Sequence, residues 1–208
     1  MVTPGDTDDT VLIRQAQLSD IPAMLAVIND YASKAVMLPR TELEICESLR
    51  DFLVAIDVAH DASNDPAAAS GPLVGCAALH FYTQHMAELR SLAVAPSRSR
   101  SGLGRRLTEE ILREARQIGV DMVFAFTYVP GFFEKMGFET VDRGALPLKA
   151  WKDCVRCPKF QACDEIAMAY KVTPGAEIYM SAAPPEEAYD DAVPLFPILG
   201  TPRILDKI

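Results

Sequence analysis

The stretch "ELRSLAVAPSRSRSGLGRRL" carries a glutamate, Glu88, on a strand-like run and four arginines around a Gly-x-Gly pair. A strand that passes through a short break into a helix leaves the first helical N–H groups without internal partners, and the helix dipole adds partial positive charge there. Gly102 and Gly104 lack side chains, so a pyrophosphate can approach the main chain, with Arg98, Arg100, Arg105 and Arg106 in reach of its outer oxygens. The same residues also suit a plain glycine-rich turn with solvated arginines. Alternation along the strand puts Glu88, Arg90 and Leu92 on one face without saying which face is wet.

A second cluster is "DCVRCPKFQACDE", which holds three of the five cysteines. Its C-x2-C-x5-C spacing begins like a zinc knuckle but supplies only three thiols and no histidine, so closed tetrahedral binding needs a fourth ligand from elsewhere, and the expectation is no metal. A disulfide between two of the thiols stays open if they lie close together. The main expectation is reduced thiols in an ordered lip. Around them Lys149, Lys152, Arg156 and Lys159 form a dense basic patch in an acidic chain, with Asp153, Asp164 and Glu165 as available counter-charges. His60, His80 and His85 have no metal-ligand spacing, and Cys76 sits in an apolar strand where packing accounts for it.

These groups are positioned by an alternation of strands and helices. "VLIRQA", "FLVAIDV", "LVGCAALHFY", "MAELRSLAVAP", "DMVFAFT", "FETVDRG" and "EIAMAYKV" read as strands. "SDIPAMLAVINDYA" reads as a helix with Ser19 or Asp20 as cap and Ile21, Leu25, Ile28 and Ala32 on one face. "TELEICESLR" is a shorter helical pattern. In "GLGRRLTEEILREARQIG" the residues Leu103, Leu107, Ile111, Ala115 and Ile118 define an apolar face, and Gly119 supplies the stop. "PGFFEKMGF" is a short helix ending at Gly137. Residues 1–10 read as a flexible leader, 11–172 as one α/β domain, and 173–208 as a proline-rich acidic tail.

With 208 residues and 50% apolar content, one core is the expectation. Twenty basic against 29 acidic residues give a net charge of -9, which argues against nucleic acid and anionic membranes as partners. With no long apolar run and an odd, dispersed set of cysteines, a cytoplasmic protein is expected.

The order of elements, the pattern from Ser99 to Gly104 and the ending "FFEKMGF" together resemble the GNAT superfamily of acetyl-CoA-dependent N-acetyltransferases across residues 11–172. The resemblance implies a mixed, mostly antiparallel twisted sheet of about seven strands, splayed at the coenzyme A site and flanked by about four helices. It implies that Leu92, Ala93 and Val94 hold the pantetheine through their main chain. Ser99, Arg100, Ser101, Gly102, Leu103, Gly104 and Arg105 would form the pyrophosphate loop, with Ser99 standing where the family usually has Arg or Gln. Phe133 replaces the tyrosine that often serves as general acid, so Tyr128, or Thr127, is the candidate to return a proton to the thiolate. Glu88 occupies the position of a general base, which an amine needs before it attacks a thioester.

Within that superfamily the chain is most similar to the short, kinase-free form of N-acetylglutamate synthase, through "VMLPRTELEICESLRDF", "AELRSLAVAP" and "GALPLKAWKDCVRCPKFQACDEIAM". This implies L-glutamate as acceptor, with Arg40 on its carboxylate, main-chain groups of Met37 or Leu38 and of Ser91 at its other end, and Arg156, then Lys152, closing the site. Glutamine, a polyamine or a protein amine are the other acceptors left open. A non-catalytic acyl-CoA-binding or metal-sensing module is the alternative from another class, and a homodimer stays open.

Overall fold

The computed structural model describes residues 10–58, 71–146, 154, 157 and 159–176. All fall within one compact unit, residues 1–178; a second unit, residues 179–208, lies outside the described residues, as do most of the expected leader and tail. Lys149, Lys152 and Arg156 also lie outside them.

Seven strands form one sheet: β1 (Val11–Gln15), β2 (Phe52–Asp57), β3 (Leu73–Phe81), β4 (Met86–Val94), β5 (Met122–Thr127), β6 (Glu139–Thr140) and β7 (Ile166–Lys171). Their order is β1-β2-β3-β4-β5-β7-β6, antiparallel throughout except for the parallel β4/β5 pair. The helices are α1 (Ile21–Ser33), α2 (Glu42–Glu47), α3 (Leu103–Ile118) and α4 (Pro130–Lys135).

Period-two alternation divides the apolar strand residues between two faces. Leu53, Ala55, Ala77, Leu79, Ala87, Leu89, Val123, Ala125 and Met168 pack with Leu103, Leu107, Ile111 and Ala115 of α3 and with Phe133 of α4. Phe52, Val54, Ile56, Cys76 and Ala78 pack instead with Ile21, Met24 and Ile28 of α1 and Ile45 of α2. Met86, Met122, Phe124, Ala167 and Ala169 form a third cluster with Leu146. Two helical residues depart from expectation. Ile118, in the last turn of α3, is 54% exposed, and on α1 Met24 is fully buried while Leu25 is only partly so. Asp20 does not cap α1 with its side chain; the carboxylate binds Arg14 at 2.7 and 3.0 Å and the Gln17 N–H at 2.7 Å.

Two irregularities of β4 create the site. Cys76 pairs with Ala93 but Ala78 with Arg90, so β4 carries one extra residue, and Ser91 there adopts φ 53°. This bulge flips the alternation. Ala87 and Leu89 face α3 before it and Leu92 after it, whereas Ala93 turns to the α1 side. The reading that Glu88, Arg90 and Leu92 share a face is therefore corrected: Leu92 lies on the other side. Further, β4 and β5 pair only through Met86, Ala87 and Glu88, although both strands continue. The sheet splays beyond Glu88 and leaves one edge of β4 without a strand neighbour among the described residues.

The strand expected over "FETVDRG" is only two residues long. The Asp142 carboxylate accepts the Gly144 N–H at 2.7 Å and starts a 3-10 turn over Arg143–Ala145, which takes the chain out of the sheet.

Candidate active site

The loop before α3 is shaped by backbone conformation. Arg100 has φ 63° and Gly102, at the N-cap, φ 87°. The Ser101 hydroxyl donates to the Arg98 carbonyl at 2.7 Å and accepts weakly from the Leu103 N–H at 3.4 Å, while Arg106 N–H begins the helical ladder on the Gly102 carbonyl. The amides of Gly104 and Arg105 precede that ladder and have no acceptor within the helix. A Cβ at Gly102 would meet nothing within 4 Å, so the approach to these amides is open. At Gly104 a Cβ would stand 3.8 Å from the Phe132 ring and from Val94, an ordinary contact.

From the splay opens a cavity of about 420 Å³. Glu88, Arg90, Ser91 and Leu92 of β4, Phe126 and Thr127 of β5, Tyr128, and Phe132 and Phe133 of α4 line one part of it; Tyr31, Met37, Leu38, Arg40, Arg143 and the three late cysteines line the rest. Glu88 is 2% exposed overall, and its Oε2 accepts from the Tyr82 hydroxyl at 3.0 Å. His80 stands across the β3/β4 ladder from it, with Nδ1 2.6 Å from an Asp51 oxygen. The Asn29 side chain donates to the Arg40 carbonyl at 3.0 Å and accepts its N–H at 2.9 Å, so α1 clamps the backbone that carries Arg40.

A family model described as the Acetyltransferase (GNAT) family matches residues 36–138. An uncharacterized N-acetyltransferase of Chlorobaculum tepidum is 40% identical over 156 residues, 75% of this chain and 93% of its own. The chain belongs to the GNAT family. An amino-acid acetyltransferase of Mycobacterium tuberculosis is 25% identical over 169 residues, covering 81% of this chain and 91% of its own. The N-acetylglutamate synthase of Neisseria gonorrhoeae, complexed with coenzyme A and N-acetyl-glutamate, matches with a TM-score of 0.66 at 28% identity. That match covers 78% of this chain and 35% of the synthase, so the GNAT domain here corresponds to about a third of it.

The arginines near the loop have different partners. Arg98 pairs with Asp57 and reaches the Thr10 hydroxyl at 3.3 Å, and Arg106 donates to the Val11 carbonyl at 2.9 Å. Both hold the start of α3 to the β1/β2 edge, which corrects their reading as phosphate ligands. Arg105 pairs with Glu109 at 2.7 Å on the exposed surface, from which it can swing toward a ligand, and Arg100 follows the loop.

Tyr128 lines the cavity, and its hydroxyl donates to Asp164 at 2.9 Å and accepts from the Lys159 ammonium at 3.1 Å. Burial, with the Asp164 hydrogen bond and the charges of Glu165 and Asp164, holds its pKa above the ordinary tyrosine value despite Lys159. Thr127 is buried, and its hydroxyl accepts the Val129 N–H at 3.0 Å. Phe133 lies at the cavity wall in edge-to-face contact with Phe132 and Phe138.

Arg143 is the site residue that sequence reasoning missed, because "DRG" read as the end of a strand. Its Nη2 donates to the carbonyls of Cys163 at 3.2 Å and Glu165 at 2.8 Å, and the guanidinium lies 5.8 Å from the Phe126 ring centroid. No carboxylate among the described residues pairs with it. The only available signal was an Asx-turn motif, Asp-x-Gly, one residue earlier.

Among the described residues no cluster of His, Cys, Asp and Glu could hold a metal, and no helix is long and apolar enough to cross a membrane.

Proposed function

We propose that this GNAT acetyltransferase moves the acetyl group of acetyl-CoA onto the α-amino group of a small amino acid, with L-glutamate the best-fitting acceptor. On this reading it performs the first step of arginine biosynthesis in the cytoplasm. The observation that carries the reading is the wall of the cavity. In a chain of net charge -9, the described wall contains three arginines, Arg40, Arg90 and Arg143, against two glutamates, Glu88 and Glu165. Such a wall favours an anionic acceptor over a polyamine or a lysine side chain. The named relatives among amino-acid acetyltransferases and N-acetylglutamate synthases support the same acceptor class.

The residues divide the work as follows. The amides at the start of α3 bind the pyrophosphate of coenzyme A, with Ser99 and Ser101 in the loop and Arg100 and Arg105 at its rim. The unpaired edge of β4 from Leu92 to Val94 takes the pantetheine arm as a partial strand. Arg40 and Arg143 hold the acceptor's two carboxylates, with Ser91 at the bulge, and Arg156 or Lys152 completes the closure. Glu88, oriented by Tyr82, takes one proton from the ammonium; the amine forms the new N–C bond, the C–S bond breaks, and the nitrogen releases its second proton to solvent as the amide forms. Tyr128, kept protonated by burial and Asp164, returns a proton to the departing thiolate, and Lys159 replenishes it.

The test is incubation with acetyl-CoA and a panel of glutamate, glutamine, other amino acids, spermidine and a lysine peptide, with mass detection of the acetylated product. N-acetylglutamate as main product is expected. Acetylation of the cationic acceptors in preference to glutamate, or coenzyme A binding without turnover, refutes the reading.

A further inference from the structure

The late cysteines have no part in acyl transfer as derived above, yet all three line the cavity where it would occur. Cys154, Cys157 and Cys163 are reduced and each is half-buried. Among the described residues no group of three or more His, Cys, Asp and Glu is arranged to hold a metal.

Their backbone geometry separates one pair from the third thiol. The Cys157 N–H donates to the Cys154 carbonyl at 2.9 Å, closing a turn of four residues. An i to i+3 bond of this kind holds the end Cα atoms within about 7 Å, against a disulfide range of about 4.4–6.8 Å. Cys163 is engaged differently: its thiol points to a Glu165 oxygen at 3.8 Å, and Arg143 holds its carbonyl. Cys76 is sealed in the core, and Cys46 is exposed on α2 and is not among the residues that line the cavity.

We propose that Cys154 and Cys157 form a thiol–disulfide exchange site in the wall of the acyl-transfer cavity, taking low-molecular-weight disulfides. One thiolate attacks the disulfide RSSR, forming a mixed disulfide and releasing RS⁻. The second thiol, losing its proton, displaces the other RS⁻ and closes Cys154–Cys157. The pair loses two electrons and two protons, and RSSR becomes two RSH. Coenzyme A disulfide and oxidised glutathione both qualify chemically. The closed bridge joins two residues of the cavity wall, whereas Gly102 and the start of α3 lie outside that lining, so the pyrophosphate anchor is untouched and the larger response falls on acceptor binding.

The test treats the full chain separately with excess coenzyme A disulfide and oxidised glutathione, then maps thiols by peptide mass spectrometry and measures kinetics. A Cys154–Cys157 bridge is expected, reversed by dithiothreitol, with a several-fold change in acceptor KM and a smaller change in coenzyme A affinity. Cys154→Ser and Cys157→Ser abolish the bridge and the kinetic response, while Cys163→Ser retains both. A response to only one of the two reagents identifies the physiological disulfide class. No bridge, a bridge through Cys163, or a Cys154–Cys157 bridge without kinetic effect overturns the proposal. Thiol mapping is independent of acceptor identity, so a bridge in a protein that does not acetylate glutamate refutes the proposed function and leaves the exchange chemistry standing.

Discussion

Helix α3 offers an internal control for the coenzyme A seat, because a left-handed glycine stands at each end. Gly102 has φ 87° at its N-cap and Gly119 φ 92° at its C-cap, and in both places a Cβ would meet nothing within 4 Å. Gly→Ala at either position forces an alanine into the left-handed region, at about 1–2 kcal/mol. At about 2–4 °C per kcal/mol for a chain of this size, both variants should melt about 2–8 °C lower. Only the Gly102→Ala methyl enters the space through which a phosphate reaches the Gly104 and Arg105 amides. Losing one or two such hydrogen bonds costs about 1–3 kcal/mol, or about 5- to 150-fold in affinity. Calorimetric melting and coenzyme A titration on both variants check this. Equal losses of affinity in the two variants, or Gly102→Ala binding coenzyme A as tightly as the native chain, would refute the assignment of the helix start as the pyrophosphate seat.

Glu88→Gln should lower kcat about 10²-fold or more at neutral pH while leaving coenzyme A affinity unchanged; steady-state kinetics and titration calorimetry separate the two effects. Arg143→Gln should reduce kcat/KM for glutamate by about 10- to 100-fold and for one of its two mono-amides by much less, measured as a three-acceptor comparison. For Asp20, burial raises the carboxyl pKa, but the Arg14 and Gln17 hydrogen bonds and the Arg14 charge together carry it below the ordinary aspartate value. A depressed folded pKa gives stability that is complete above the unfolded value and fades as pH falls through the folded one. Asp20→Asn should therefore cost about 1–3 kcal/mol at pH 7, a deficit that shrinks below about pH 4 in denaturant melts. In native thiol labelling, Cys46 should react freely, and Cys76, buried with its pKa pushed up to about 12, should stay silent. Cys154, Cys157 and Cys163 should be slowed by coenzyme A plus acceptor.

Much of the site was legible because it depends on local chemistry. Gly102 announces a positive φ, the pattern Leu103, Leu107, Ile111, Ala115 announces one buried helix face, and alternating apolar residues announce the strands. Glu88 could be placed on a strand but not in or out of the site. Its burial beside Tyr82 follows from which strand flanks β4 and where β5 turns away, which are contacts between segments distant along the chain.

The sequence by itself determined the elements, the strand-to-helix junction, and the family to which the chain belongs, since each rests on residue type and short spacing. Tertiary structure decided the rest. The bulge at Ser91 separated Leu92 from Glu88, because one extra residue in β4 is visible only against the register of β3. The partners of Arg98 and Arg106 turned two apparent phosphate ligands into struts to β1 and β2. The turn at Asp142 brought Arg143 into the cavity wall, and the loss of β4/β5 pairing after Glu88 opened that cavity. Apart from the turn itself, which is a local Asp142–Gly144 contact, each of these is set by packing between segments far apart in sequence, for which no local pattern of residues is a sufficient signal.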